Sequence, residues 1–476
     1  MMSNNRILGA LSSRHLVAAE LMALLALLAT TLSIFGAQGW GMTAAFAVAY
    51  AVPRLAYARL SGGEGKGAVV MAAAGAAMVA WAVANVYSWT TAVGHTLNDP
   101  LLTNDDNTYY RWALHFFDGS VEEPDTKFIG FPLLILGSWK LLGHSIVWPI
   151  AINVMLTLLT IVTTGQMAGR ALEHRVSASR AHVTFLAMLG TCLLCYMMSH
   201  GALLLKEPLT YFAVSLAAYA IARMKATEQP GSLWPDLTVF TAAIAILAIT
   251  RTGVIYFVML GVALALIDCR RMWRYAFALT GIALIGVGVG IYWSNGFSTE
   301  VQMRIVAGTS AGGGIMGQIY QASGIYGDAM SNYFMLPMWR KLLLLPVTCL
   351  VQLFIPFPWP GVEGFSLDSF FTRMQWGWYA TAGIAIYYLF ALSWRRSSLG
   401  WWALWPFLCF AAAAFTTGGS VSRYILPYQP LLVVVAVWVL CRWREEKWRR
   451  TFKIWCGTYA AVVAIVLLYC FALTSA

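Results

Sequence analysis

Apolar runs long enough to cross a bilayer alternate with short polar interruptions along most of the chain, and this pattern predicts an all-α polytopic membrane protein. The runs lie near 15–36, 37–57, 68–92, 145–168, 181–200, 207–224, 235–250, 252–268, 274–294, 341–357, 376–394, 400–418, 424–441 and 452–473. Two polar stretches stand apart by their length, 93–144 and 295–340. The first holds two short amphipathic patterns, 107–117 and 128–142, separated by the acidic run 118–125, and these predict helices lying on the membrane surface. The second is rich in glycine and ends in tyrosines, which suits a lid or a linker.

Basic residues orient the spans. With the N-terminus in the cytoplasm, Arg6, Arg14, Arg54, Arg59, Lys66, Arg170, Arg175, Arg180, Arg223, Lys225, the 270–274 arginines, Arg395, Arg396 and the 442–453 cluster all face inward. These are about two-thirds of the 31 basic residues. The parity closes only if one segment dips in and returns. Residues 341–357 are the expected one, because Pro346 interrupts them and Pro356-Phe357-Pro358-Trp359-Pro360 ends them. The expectation is therefore about 13 transmembrane helices plus a re-entrant or interfacial element. Residues 1–67 form additional N-terminal helices, 68–294 a core, 295–375 an outer loop with the re-entrant element, and 376–476 the C-terminal helices.

Composition removes several classes of function. A chain that is 60% hydrophobic and 11% charged cannot bury its apolar surface in a soluble core of ordinary proportions, and its net charge of +11 reflects topology rather than nucleic-acid binding. The cytoplasmic loops are too short for a nucleotide-binding domain, and no phosphate-binding glycine fingerprint follows a strand pattern. The eight cysteines fall in or beside apolar runs, where Cys192-x-x-Cys195 reads as helix packing. Lone histidines such as His95, His115 and His144 read as structural, and Glu20 as a snorkelling residue. Trp112, Trp139, Trp148, Trp339, Trp359 and Trp376 suit an interfacial aromatic belt.

The outward-facing polar residues carry the candidate chemistry. Asp105 and Asp106 follow the third span; Asp106 or Asn107 can cap the helix over 107–117, and either carboxylate can serve as an acid or base at the membrane surface. Lys206-Glu207-Pro208 occupies a short turn between two spans. Pro208 suits a first helical turn, while Lys206 can hold a phosphate and Glu207 can orient it or act as a second acid. Arg251 lies between two apolar segments with no other charge between Asp236 and Asp268, a placement that costs several kcal/mol without water, a partner or a ligand. Arg423 opens a late span, and its guanidinium can grip a phosphate in a bidentate way. Arg340 is a weaker candidate for the same task.

The segments Asp105-Asp106 with Tyr109-Tyr110-Arg111-Trp112-Ala113, Phe131-Pro132-Leu133, Lys206-Glu207-Pro208, Thr250-Arg251 and Arg423-Tyr424-Ile425-Leu426-Pro427 resemble in layout the GT-C glycosyltransferases. Within that group they are most similar to bacterial enzymes of the protein-mannosyltransferase and aminoarabinose-transferase type. Two spans precede the one leading into Asp105, and Asp-Asp stands where relatives often carry Asp-Glu. The resemblance implies a GT-C-like fold in the inner (plasma) membrane with the active site on its outer face. It also implies sugar transfer from a polyprenyl-phosphate donor to a lipid, glycan or protein acceptor. Asp105 or Asp106 would be the general base of an inverting reaction, with Glu207 as a further acid and Lys206, Arg251, Arg423 and Arg340 on the donor phosphate. No nucleotide site is needed, and a divalent metal bridging carboxylate and phosphate is compatible with the position. The alternatives are an O-antigen-type polymerase or ligase, which calls for arginines and histidines in the late loop, and a lipid-linked glycan transporter, which calls for internal repeats.

Overall fold

The computed structural model describes residues 13–61, 65–91, 95–102, 104–119, 130–173, 175–226, 233–293, 333, 336–354, 375–390, 399–417, 422–442 and 446–475. Most of the stretch 295–340, the acidic run beyond Gly119, Pro356–Pro360, Arg395, Arg396 and Gly418 to Val421 lie outside these residues. Among the described residues there is no strand, and one isolated bridge joins Thr96 to Asp99.

The helices, in chain order, are α1 (Ser13–Phe35), α2 (Gln38–Ser61), α3 (Gly65–Thr90), α4 (Asn104–Asp118), α5 (Gly130–Leu142), α6 (Val147–Ala171), α7 (Arg180–Cys192), α8 (Cys195–Gly201), α9 (Glu207–Ala226), α10 (Leu233–Thr250), α11 (Gly253–Asp268), α12 (Trp273–Trp293), α13 (Met338–Phe354), α14 (Trp376–Phe390), α15 (Trp405–Thr417), α16 (Gln429–Arg442) and α17 (Glu446–Ser475). Four stretches are long and apolar enough to cross a bilayer: His15–Phe35, Gly65–Thr90, Val147–Ala171 and Arg270–Tyr292. The bent pair α7 and α8 makes a fifth. With the shorter apolar helices around them, the chain is an all-α membrane protein.

Burial on every side, rather than apolar length, marks the centre. α6 and α9 are buried along nearly their whole length and pack on each other; α7, α10, α11 and α16 surround them. α1 lies at the periphery, with most of its surface exposed, and attaches to α2 by polar contacts. Glu20 accepts from Arg54 at 2.8 Å and from Tyr50 at 2.6 Å, and the Thr31 and Thr43 hydroxyls meet at 2.7 Å. Glu20 is thus paired between helices rather than snorkelling to the surface.

Two further expectations change. The helix at Met338–Phe354 runs through Pro346, because loss of one backbone hydrogen bond does not end a helix supported by its neighbours. The bend falls instead within 181–200, between α7 and α8, at 73°. There Leu194 leaves the helical region (φ −80°, ψ 70°) and its N–H closes a tight turn on the Thr191 carbonyl. Free Cys192 and Cys195 bracket this bend. The other change is the first surface helix, which begins at Asn104, so Asp105 and Asp106 sit inside its first turn and neither Asp106 nor Asn107 is its cap.

Candidate active site

The first turn of α4 is acidic, which complements the exposed N–H groups and positive pole of the helix start. Successive helical residues diverge by about 100°, and the two carboxylates take different partners. Asp105 forms an ion pair with Arg423. Asp106 accepts from the Leu204 backbone N–H, while its Oδ1 is buried with no hydrogen-bond partner among the described residues.

Tyr109 lies one turn on, on the same face as both aspartates, and is buried. Its ring meets Phe131 at 5.3 Å and Trp112 at 5.9 Å, edge to face, which docks α4 on α5. Farther along α4, Tyr110 contacts Trp139 at 5.1 Å, and its hydroxyl lies 3.1 Å from His144 Nε2. Trp139 is buried and donates to the Ser145 carbonyl at 3.0 Å, so it belongs to this packing and not to an interfacial belt. His144 fills the same aromatic cluster, the structural role expected of it.

Three other segments bring their charges to this end of the bundle. Lys206, in the non-helical link before α9, is buried and places Nζ 5.6 Å from the Tyr109 ring centre. Glu207, the first residue of α9, is 1% exposed, and its Oε2 has no hydrogen-bond partner among the described residues. Arg251 occupies the turn between α10 and α11, whose backbone closes by Arg251 N–H to Leu247 at 2.8 Å and Val254 N–H to Arg251 at 2.9 Å. Its guanidinium lies 4.4 Å from the Tyr424 ring centre and leaves buried Nη1 unpartnered among the described residues. Arg423 comes from the 3-10 turn Ser422–Tyr424.

The electrostatics follow from crowding six charges into a partly dry site. Burial pushes the Asp106 carboxyl up to about 7; the Leu204 N–H opposes that rise, and the charges of Asp105 and Glu207 add to it. Burial likewise pushes Lys206 down to about 7, reinforced by the Arg251 cation and opposed by Glu207. Burial works against the charge on Arg423 too, but Glu207 and Asp105 outweigh it and keep the guanidinium protonated.

Of the residues singled out from sequence, Asp105, Asp106, Lys206, Glu207, Arg251 and Arg423 therefore share one electrostatic neighbourhood. Arg340 does not join them: it is exposed on α13, with its guanidinium 5.1 Å from the Trp339 ring centre. The site contains three more residues, of which Tyr109 and Tyr424 stand in the motif segments without a role assigned there. Tyr109 was signalled by its spacing from the aspartates and Tyr424 by adjacency to Arg423. His200 is buried and electrostatically coupled to Glu207, Arg423 and Asp105, with Nδ1 2.8 Å from the Tyr196 carbonyl; nothing in its spacing marked it. The donor set does not fit a divalent cation, since guanidinium and ammonium groups stand beside the carboxylates and no group of three or more metal-ligating residues occurs among the described residues. The set can bind an anion and accept a proton beside it. No protein-family model, curated protein or solved structure matches the chain.

Proposed function

We propose that this protein is a membrane glycosyltransferase of the GT-C type, moving a sugar from a polyprenyl-phosphate donor to an acceptor hydroxyl on the outer face of the inner membrane, with inversion. The observation that carries the reading is the meeting of Asp105 and Asp106 with Lys206-Glu207, Arg251 and Arg423, four segments distant in sequence. On this reading the N-terminus is cytoplasmic, and the shorter apolar helices join the long ones to make about 13 spans.

Asp106 is the better base of the two aspartates. Asp105 is engaged by Arg423, whereas Asp106 is poised near neutrality with one oxygen unpartnered. Its carboxylate takes the acceptor O–H proton, the freed oxygen forms a bond to the anomeric carbon, and the bond from that carbon to the phosphate oxygen breaks. The leaving lipid phosphate carries the electron pair away, where Lys206, Arg251 and Arg423 stabilise the growing charge. Glu207 keeps these cations protonated and in place. The test is incubation of purified protein in lipid nanodiscs with labelled polyprenyl-phosphate sugars and a panel of lipid, glycan and peptide acceptors. Transfer with inverted anomeric configuration is expected. Absence of transfer and of donor hydrolysis across the panel counts against the class; retention of configuration counts against a single displacement.

A further inference from the structure

The link between α8 and α9 is held from behind by two amides that do not face the charged cluster. α8 ends at Gly201 and α9 begins at Glu207, so the carbonyls of the intervening residues have no full set of helical partners. Asn153 of α6, wholly buried, donates both amide hydrogens into this link, Nδ2 lying 2.7 Å from the Leu203 carbonyl and 2.9 Å from the Leu205 carbonyl. Asn85 of α3 donates to the Ala202 carbonyl at 2.9 Å. Because every acceptor is a carbonyl, the orientation of both amides is fixed with nitrogen toward the link. Asn153 is itself anchored: Thr157, one turn along, donates to its carbonyl at 2.8 Å and pairs with the Tyr211 hydroxyl of α9. Gly201 sits against the Thr157 side chain so closely that a Cβ would collide with it, which sets α8 directly on α6.

We propose that Asn153 and Asn85 are positioning residues, which fix the 202–206 backbone so that the Leu204 N–H is delivered to the Asp106 carboxylate. They act through that backbone and touch no reacting atom. The charged groups bearing on Asp106 are Asp105 of its own helix and Glu207 of α9, with Lys206, His200, Arg251 and Arg423 gathered around Glu207. Asn153 and Asn85 are neutral, so replacing either alters Asp106 through hydrogen bonding and not through charge. The Leu204 N–H favours the ionised carboxylate, so slackening the link raises the pH at which Asp106 loses its proton.

This inference rests on Asp106 as the base only for its consequence in catalysis, and the two separate experimentally. The full-length protein in nanodiscs is titrated by infrared difference spectroscopy, following the protonated-carboxyl band that Asp106→Asn removes. The wild-type midpoint is expected near 7. Asn153→Leu is expected to raise it by roughly one pH unit, the size of one hydrogen bond to a charged group, and Asn85→Leu to raise it less. An unmoved midpoint in the folded variants overturns the proposal, as does the lack of any titrating band removed by Asp106→Asn. Should Asn153→Leu fail to fold, Asn85→Leu decides alone. In transfer assays the acidic limb of kcat should move with the band. A band that moves without the limb removes Asp106 as the base and leaves the positioning role standing.

Discussion

The two ends of α9 carry charged clusters of similar make-up and opposite finish. They stand about 27 Å apart along the helix. At the C-terminal end, Asp268 of α11 accepts from Lys225 at 3.0 Å and from the Trp402 backbone N–H at 2.7 Å. Gly400, at φ +61°, lets the backbone pass directly over that carboxylate. Asp236 meets Arg223 at 2.9 Å, and Glu173 lies between Arg170 at 3.4 Å and Arg180 at 4.0 Å. Each of these acids has a cation within 4.0 Å, although Arg170 Nε and Asp236 Oδ1 are buried without a hydrogen bond among the described residues, and together they tie α9 to α10, α11 and the start of the 400–417 segment. At the N-terminal end, Asp106 Oδ1, Glu207 Oε2 and Arg251 Nη1 are buried without hydrogen-bond partners among the described residues. Each such atom costs about 1–3 kcal/mol. A cost of that kind is kept where a ligand supplies the missing partners. The C-terminal end holds helices together by ion pairs; at the N-terminal end two carboxylates and a guanidinium each keep an unpartnered atom, which under the proposed function a ligand would satisfy.

The largest separation between the ends should come from removing one acid at the paired one. Asp268→Ala strands buried Lys225 and is expected to cost about 3–5 kcal/mol of stability, read as loss of thermal and denaturant resistance, while the protein that remains folded keeps its kcat. At the other end, Arg251→Lys and Arg423→Lys keep the charge but lose the planar guanidinium. Each is expected to weaken donor binding about tenfold, measured as KM or by direct titration, with little change in melting temperature. If these variants unfold instead, the contrast between the two ends fails.

The pH dependence sharpens the same contrast. Asp106 must be ionised to accept a proton, so kcat/KM rises as pH climbs through about 7; Lys206 must be protonated to hold phosphate, so kcat/KM falls as pH passes about 7. The expected profile is a narrow bell near neutrality, whose alkaline limb moves upward in Lys206→Arg. Stability has its own sign. Asp106 titrates above its ordinary value in the folded protein, so its contribution worsens as pH rises from about 4 through about 7. Asp106→Asn should therefore melt higher than wild type at pH 8 and show no such gain at pH 4. The smallest effect is expected far from both ends. Glu20→Gln weakens a mostly buried ion pair with Arg54 but keeps an oxygen to accept from Arg54 and Tyr50, and a change in stability of about 1 kcal/mol is expected.

Most of the helices were legible in the sequence because apolar length is a one-dimensional property: α3, α6, α9, α11 and α16 fall within a few residues of the runs that predict them. The bend at Leu194 was not, since no proline or glycine occupies it and the backbone turns under tertiary packing alone. Pro346 misled in the opposite sense, a strong local breaker absorbed by its neighbours. At the site, Lys206, Glu207, Arg251 and Arg423 were marked as charges beside apolar runs, and Asp105 and Asp106 as adjacent acids at the head of an amphipathic pattern after the third span. Arg340 had the same mark and lies elsewhere, because such a position can equally be an exposed residue stacked on Trp339. Asn85 and Asn153 carried no signal at all. A neutral amide inside a span looks unremarkable until the carbonyls it reaches are known.

The central claim is that the unpaired carboxylate at the N-terminal end of α9, and not the paired one beside it, takes the proton. Single-turnover sugar transfer by Asp105→Asn and Asp106→Asn, each alongside equilibrium binding of the polyprenyl-phosphate donor, tests this most directly. The expected result is that Asp106→Asn slows transfer by about 10²–10⁴-fold with donor affinity within a few-fold of wild type, whereas Asp105→Asn alters donor affinity through Arg423 and keeps most of the transfer rate. Transfer at near wild-type rate by Asp106→Asn would contradict it.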